Sequence, residues 1–206
     1  MSLLAKALIP QFQRPSGLLG RVAGVLMATR PSNRQRSRWT IDLIELKPDD
    51  IVFELGCGPG YALSVAASRV PSGTVIGVDH SATMIAMARS RLRRQVTSGK
   101  IRLQEGTEQR LADFAGRLDA IYSANVVQFL PDRAGYFRLA YDALAPGGRI
   151  ATTYQPRTGN PTRDKADRFA ETCIAAMEAT GFEAIRKAWL ETNDVPTVCA
   201  LGKKSA

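Results

Sequence analysis

Short apolar runs alternate with amphipathic segments along the chain from residue 51 onward. A short apolar run is typical of a strand buried on both faces, whereas apolar residues spaced three and four apart indicate a helix. The predicted strands span residues 51–55, 74–79, 101–103, 118–123, 149–154, 183–190 and 196–202. The predicted helices span residues 61–69, 132–144 and 163–180, and another helix follows an N-cap at Ser81 and carries Met84, Ile85, Ala88 and Leu92.

This alternation predicts an α/β fold with a doubly wound sheet. Strands that alternate with helices form a mostly parallel sheet with helices on both faces. The last two predicted strands have no helix between them, and we expect them to form an antiparallel hairpin at one edge of the sheet. The predicted sheet is therefore seven-stranded and mostly parallel, with an antiparallel C-terminal hairpin strand.

The residues before the first predicted strand differ from the rest of the chain in periodicity and charge. Helical spacing is found only in residues 16–29 and 39–46, and three prolines interrupt residues 1–37. The formal net charge of the 206-residue chain is +9, and residues 1–40 hold seven Lys and Arg without an Asp or Glu. We therefore divide the chain into a basic N-terminal arm, residues 1–37, and a domain, residues 38–206.

The basic arm allows several kinds of partner. It can bind an anionic membrane surface, a nucleic acid or an acidic ligand, or it can pack on the domain with its charges in solvent. We favour the last interpretation, keep peripheral membrane contact through residues 1–37 as an alternative, and do not favour a nucleic acid. The oligomeric state is left open.

Composition excludes several classes of protein. With 45% hydrophobic and 23% charged residues, the chain is typical of a globular protein. It has no apolar run long enough to span a membrane, and its short apolar start is broken by Lys6 and Pro10, so we expect no signal peptide. The three cysteines are far apart and predict neither a disulfide framework nor a metal site. A reducing, cytoplasmic location fits these features best.

The clearest chemical signal lies between the first predicted strand and the helix that follows it. Residues 54–60 read E-L-G-C-G-P-G, and glycines at such a turn let the backbone approach a ligand, while the next helix offers free N–H groups. Asp79 ends the second predicted strand, where a carboxylate can accept hydrogen bonds from ribose hydroxyls. The spacing G-x-G-x-G differs from the G-x-G-x-x-G of dinucleotide-binding proteins. Glu54 would repel a pyrophosphate but can meet an ammonium group, so the loop favours a ligand with an amino-acid end.

Four motifs, in this order along the chain, resemble those of the class I S-adenosylmethionine-dependent methyltransferases. They are E-L-G-C-G-P-G at 54–60, V-D-H-S at 78–81, L-D-A-I-Y-S-A-N at 118–125 and L-A-P-G-G-R at 144–149. The resemblance covers about residues 38–203, and the predicted hairpin at the sheet edge agrees with it. It implies a Rossmann-like sheet, S-adenosylmethionine as the cofactor and methyl transfer as the reaction.

The resemblance also implies which residues hold the cofactor. They are Glu54, Gly56, Gly58, Gly60, Asp79, His80, Met84, Thr107, Glu108 and Asn125. The glycine-loop residues would surround the methionine part, and His80 and Met84 would lie against the adenine. Many members carry an acid where this chain has Thr107, so Thr107 or Glu108 would meet the adenine amino group. Asn125 would lie near the sulfonium and the amino group.

Enzymes of this family need few acid or base side chains for catalysis. The methyl group of the cofactor is already activated, so the enzyme must mainly align the acceptor and exclude water, and it needs a base only for a protonated nucleophile. The sequence offers no convincing base. Tyr154, at the end of the fifth predicted strand, and Gln128, after the fourth, lie on the expected acceptor side and are weak candidates for catalytic residues that orient the acceptor.

The acceptor is predicted only by class. After Asn125 the chain reads V-V-Q-F, unlike the N-P-P-[YF] type motif of enzymes that methylate adenine in DNA or glutamine. We expect a small-molecule acceptor, and we expect residues 16–40 to form a lid with Trp39 as an aromatic wall. The alternatives are a methyltransferase that reaches a membrane lipid or quinone through the arm, a nicotinamide-dependent oxidoreductase, and a cofactor-binding protein without catalysis.

Overall fold

The apolar runs form seven strands of one sheet in the computed structural model, which describes residues 30–157, 161–191 and 196–206. The strands are β1 (Ile51–Leu55), β2 (Thr74–Asp79), β3 (Ile101–Glu105), β4 (Leu118–Ala124), β5 (Leu144–Tyr154), β6 (Glu183–Leu190) and β7 (Thr197–Lys203). The α-helices of the described residues are α1 (Pro31–Leu43), α2 (Tyr61–Arg69), α3 (Ala82–Arg91), α4 (Arg93–Thr97), α5 (Arg133–Ala143) and α6 (Arg163–Thr180). In the same residues, 3₁₀ helices span Glu108–Phe114 and Val127–Phe129. The predicted helix at residues 16–29 lies outside the described residues.

The sheet has the order β3-β2-β1-β4-β5-β7-β6. Strands β1 to β5 pair in parallel, and β7 pairs antiparallel with both β5 and β6. The predicted fold class, a Rossmann-like and mostly parallel seven-stranded sheet with an antiparallel C-terminal hairpin, is therefore confirmed. Because β1 pairs with β2 on one side and with β4 on the other, the strand order reverses there. In such sheets a ligand binds beyond the carboxyl ends of the strands at the reversal.

Alternate residues of each central strand point to opposite faces, which divides the core into two clusters. On β1, Val52 packs with Ile41 of α1 and Leu63 of α2, whereas Phe53 packs on the other face with residues of α5 and α6, such as Phe137. Burial on both faces explains why these strands are continuous apolar runs in the sequence. No helix in the described part of the chain combines the length and apolar character that a membrane crossing requires.

Helix α1 begins earlier than the sequence predicts. Its apolar spacing predicts a helix at residues 39–46, but α1 starts at Pro31 and crosses the expected boundary between residues 37 and 38. Proline suits the first helical position, where its missing N–H costs no hydrogen bond. The first half of α1 is polar and is held by hydrogen bonds, so hydrophobic periodicity gives no sign of it.

The start of β5 also differs from the prediction. The P-G-G segment at residues 146–148 is predicted as a turn before the strand, whereas β5 already begins at Leu144. The N–H of Gly147 donates to the carbonyl of Lys204 (3.1 Å), and the N–H of Lys204 donates to the carbonyl of Gly148 (2.8 Å). The residues after β7 therefore supply partners that keep this segment extended. Strand β3 likewise continues to Glu105 rather than ending at residue 103.

Candidate functional site

The loop after β1 and the last residue of β2 form one hydrogen-bonded unit at the carboxyl edge of the sheet. The N–H of Gly58 donates to Oδ2 of Asp79 (2.8 Å), and the N–H of Ser81 donates to Oδ1 of Asp79 (2.9 Å). The N–H of Gly56 donates to the carbonyl of Val78 (2.7 Å) and fixes the start of the loop. Asp79 thus joins the glycine loop to the start of α3. Each of its oxygens has a second lone pair, which remains able to accept a ribose hydroxyl.

The three glycines of the loop have different roles. Gly56 has a φ of +72°, and a Cβ there would lie 2.2 Å from Cγ2 of Val126. Gly60 begins α2 with a φ of +82°, and a Cβ there would lie 2.7 Å from Cδ1 of Leu92. Gly58 has a φ of +51° and no atom of the described residues within 4 Å of its Cβ position. Gly56 and Gly60 therefore serve close packing within the protein, whereas Gly58 borders open space in the described part of the chain.

Glu54 lies beneath this loop, at the end of β1, and is only 4% exposed. The hydroxyl of Tyr122 on β4 donates a hydrogen bond to Oε2 of Glu54 (2.9 Å). Burial, with a smaller contribution from the charge of Asp79, raises the pKa of Glu54 to about 8, although the Tyr122 hydrogen bond opposes the shift. A cationic group beside Glu54 would favour its ionised form.

The surroundings of Asp79 also raise the pKa of its carboxyl group. Burial raises the pKa of Asp79, whereas the two backbone hydrogen bonds and His80 lower it. Nδ1 of His80 lies 3.7 Å from Oδ1 of Asp79, and the His80 side chain is 49% exposed. Met84, in contrast, is 1% exposed, and its N–H donates to the hydroxyl of Ser81 (3.4 Å). The structure thus places His80 at the open surface beside Asp79 and the Met84 side chain in the interior.

Thr107 and Glu108 follow β3 next to Asp79. The N–H of Gly106 donates to the backbone carbonyl of Asp79 (3.0 Å), which fixes this loop at the same edge. The exposed Thr107 caps the first 3₁₀ helix, because its hydroxyl accepts the N–H of Gln109 (3.4 Å). Glu108 is half-buried and lines a cleft of about 380 Å³ against α5. The structure places the loop that is predicted to contact the adenine beside Asp79. Of its two candidate residues, Thr107 caps the 3₁₀ helix and Glu108 lines the cleft against α5.

Asn125 joins the ends of β4 and β5. It has a φ of +59°, and its own N–H donates to the carbonyl of Thr153 (2.9 Å). Its side-chain Nδ2 donates to the carbonyl of Gln155 (3.1 Å), and its Oδ1 accepts the N–H of Gln155 (2.8 Å). The Asn125 amide therefore holds the segment after β5 in place, and its predicted position near the sulfonium stays a prediction.

The two weak catalytic candidates have different neighbours. Tyr154 is buried, and its ring packs on Phe169 with centroids 4.4 Å apart. Burial raises the pKa of Tyr154, and the charge of Arg133 opposes the shift. Gln128 accepts a hydrogen bond from Arg133 through its backbone carbonyl (3.2 Å), and its buried Oε1 has no hydrogen-bond partner among the described residues. The role of both residues in orienting the acceptor stays a prediction.

The sequence does not predict a buried polar cluster that lies between α1 and the end of β5. The hydroxyls of Thr40 and Thr153 are 2.7 Å apart, and Nη1 of Arg36 donates to Oε1 of Gln155 (3.0 Å). All four side chains are buried. Trp39 packs against the hydrophobic cluster beneath α1 and is partly buried, and its role as an aromatic wall of the site stays a prediction. No local signal marks Arg36 or Gln155, because their contact depends on how α1 crosses the sheet.

The chain is similar in sequence to several known proteins. A family model described as a methyltransferase domain matches residues 52–148. An uncharacterized methyltransferase of Bacillus subtilis, YdaC, is 31% identical over 185 residues, which cover 90% of this chain and 99% of that protein. The trans-aconitate 2-methyltransferase of Methylobacterium radiotolerans is 33% identical over 134 residues, 65% of this chain and 47% of that protein. The chain thus spans about half the length of that relative.

Solved structures show the same fold at low sequence identity. A geranyl diphosphate methyltransferase in complex with GPP and sinefungin superposes with a TM-score of 0.67 at 18% identity, covering 83% of this chain and 77% of that one. An S-adenosylmethionine-dependent methyltransferase from Aquifex aeolicus has a TM-score of 0.69 at 15% identity, covering 84% of this chain and 93% of that one. These likenesses concern the fold alone.

Proposed function

Because this chain belongs to the class I S-adenosylmethionine-dependent methyltransferases and uses S-adenosylmethionine as its cofactor, we propose that it methylates a small-molecule acceptor. The observation that carries the proposal is the position of Asp79, which joins the glycine loop to α3 at the strand reversal. The open space beside Gly58 fits a ligand at the same edge. The comparisons give the nicotinamide-dependent oxidoreductase alternative no support.

The residues present fit the parts of this cofactor. Asp79 would accept the ribose hydroxyls with its free lone pairs, and His80 would line the adenine from the open surface. Glu54 and the backbone around Gly58 would face the amino-acid end, where the ammonium group would compensate the buried carboxylate. The bound cofactor supplies an activated methyl group on a sulfonium, so the protein's task is to orient the acceptor and to exclude water.

Relatives support a small acceptor. Several are named trans-aconitate 2-methyltransferases, and one is the nocamycin O-methyltransferase of Saccharothrix syringae, 34% identical over 140 residues that cover 65% of this chain and 48% of that protein. These names give trans-aconitate and nocamycin as the molecules that those relatives methylate. We also propose a cytoplasmic location, which the three free cysteines of the structure support.

Cofactor choice is tested by titration calorimetry. We expect S-adenosylhomocysteine to bind with a dissociation constant in the micromolar range, about −8 kcal/mol, and NADH to show no heat of binding. A screen of organic acids, trans-aconitate included, and of lipid and quinone acceptors with labelled S-adenosylmethionine should then give transfer to a small acceptor. Tight binding of NADH with no binding of S-adenosylhomocysteine would refute the proposal.

The contribution of the arm is tested by two deletions that differ in whether they cut α1. Removal of residues 1–29 should lower methyl transfer and leave S-adenosylhomocysteine affinity within a few-fold of the full chain if the arm covers the acceptor. Removal of residues 1–37 should in addition lower the melting temperature, because it takes away Arg36 and the first half of α1. Full activity of the protein that lacks residues 1–29 would disprove the lid hypothesis. In a separate assay, binding of the full chain to anionic liposomes that weakens with salt would support the lipid alternative.

A further inference from the structure

The first half of α1 lies over the carboxyl ends of β4 and β5. The contact between the hydroxyls of Thr40 and Thr153 anchors the helix there. One turn earlier on α1, Arg36 reaches Gln155, which follows the end of β5 and is tied through its backbone to Asn125. The guanidinium group of Arg36 therefore lies at the same edge of the sheet as the cofactor residues, on the side of β5.

Arg36 is a buried cation without a neighbouring anion among the described residues. It is 7% exposed, its Nη1 donates to the neutral amide oxygen of Gln155, and its Nε has no hydrogen-bond partner within residues 30–157, 161–191 and 196–206. In the part of the chain that the structure describes, no carboxylate lies within salt-bridge distance of Arg36. Burial and the nearby Arg157 lower its pKa to about 9, so the group stays protonated at neutral pH. A buried charge of this kind is costly unless a ligand compensates it.

A second guanidinium group meets the same amide oxygen. Arg157 also donates to Oε1 of Gln155, and it donates to Oδ1 of Asn33 on the first turn of α1 (2.8 Å). That turn contains no acidic residue, and the first turn of a helix carries a partial positive charge. Two arginines and a helix start thus create a positive potential beside the ends of β4 and β5.

We propose that Arg36, assisted by Arg157, binds a carboxylate of the methyl acceptor, so that the acceptor is an organic acid. This inference rests on the proposed function and names its substrate class. The planar fork of an arginine matches a carboxylate and forms charge-assisted hydrogen bonds with it. A carboxylate would accept a hydrogen bond from the Nε of Arg36 and neutralise its charge, whereas a neutral acceptor would leave the charge uncompensated.

The test compares an acid with its neutral ester on the full chain saturated with S-adenosylhomocysteine. Titration calorimetry of trans-aconitate, citrate, inorganic phosphate and the trimethyl ester of trans-aconitate would be done with the wild type, Arg36→Met and Arg36→Lys. We expect at least one acid to bind the wild type and its affinity to fall about tenfold to a hundredfold in Arg36→Met. Arg36→Lys, which keeps the charge and loses the fork, should give a smaller loss. The exposed Arg168→Met, at a surface pair of α6, is the matched control and should bind like the wild type.

The outcomes separate this inference from the proposed function. Wild-type protein that binds no S-adenosylhomocysteine would contradict the proposed function itself. Protein that binds S-adenosylhomocysteine but no acid, or that binds the ester as tightly as the acid, would overturn only the carboxylate site, and so would stronger binding of phosphate than of any acid. An Arg36→Met variant that melts like the wild type and binds the acid equally well would also overturn it. Should Arg36→Met fail to fold, unchanged acid affinity in Arg36→Lys would do so instead.

Discussion

Asp79→Ala should weaken the binding of S-adenosylhomocysteine by more than about a hundredfold. The substitution removes the carboxylate proposed to accept both ribose hydroxyls, and hydrogen bonds to a charged group contribute about 1.5–3 kcal/mol each. It also leaves the N–H groups of Gly58 and Ser81 without their acceptor, so the glycine loop and the start of α3 lose their shared support. Both effects act in the same direction on cofactor affinity.

Titration calorimetry on the wild type and the variant measures this effect directly. Asp164→Ala is the matched control, because Asp164 is an exposed carboxylate on α6 whose described ion pair is with a surface arginine. Circular dichroism and melting temperature should show that Asp79→Ala still folds, since α3 retains Ser81 as its N-cap. Affinity within tenfold of the wild type would remove Asp79 from the cofactor site.

The features that the sequence predicts correctly are local ones. A strand that ends in an acid, a loop of glycines and an N-cap at Ser81 each depend on residues close together in the chain, and the structure has all of them near their predicted places. The central strands β1, β2 and β4 follow because buried parallel strands are short apolar runs. Such local signals are enough to place Asp79 beside the glycine loop, since both follow strands that are neighbours in a parallel sheet.

The features that the sequence misses depend on distant pairing. Glu54 and Tyr122 meet because β1 pairs with β4, which brings together residues 68 positions apart. Arg36 and Gln155 are 119 positions apart and meet because α1 crosses the end of β5. Neither contact leaves a periodic signal, since a polar residue that becomes buried resembles an exposed one in the sequence. The proposed acceptor side depends mostly on such contacts, which is why the sequence predicts the cofactor far better than the acceptor.

Glu54 should make the cofactor-free protein less stable as the pH rises from about 4.5 to about 8. Its pKa in the folded protein is raised from the ordinary value of 4.5 to about 8, so the folded state holds a proton that the unfolded state releases. The stabilisation is therefore complete below pH 4.5 and is lost as the pH rises through 8. At about 1.4 kcal/mol per pH unit, the change reaches roughly 5 kcal/mol in the free energy of unfolding.

Denaturant unfolding at pH 5, 7 and 8.5 measures this change, and Glu54→Gln isolates its source. A glutamine retains an oxygen for the Tyr122 hydroxyl but has no proton to lose, so the variant should show a much flatter pH dependence than the wild type. Asp79, whose pKa is also raised, contributes with the same sign and accounts for a residual slope. An unchanged pH dependence in Glu54→Gln would show that Glu54 is not the titrating group.

The same carboxyl group should couple cofactor binding to proton release. An ammonium group beside Glu54 favours the ionised form, so binding at pH 7 should expel the proton that the free protein holds there. Calorimetric titrations of S-adenosylhomocysteine in buffers of different ionisation enthalpy count the protons released. The wild type should release close to one proton and Glu54→Gln close to none. Equal proton release by both proteins would place the ammonium group away from Glu54 and leave the raised pKa as a property of the empty fold alone.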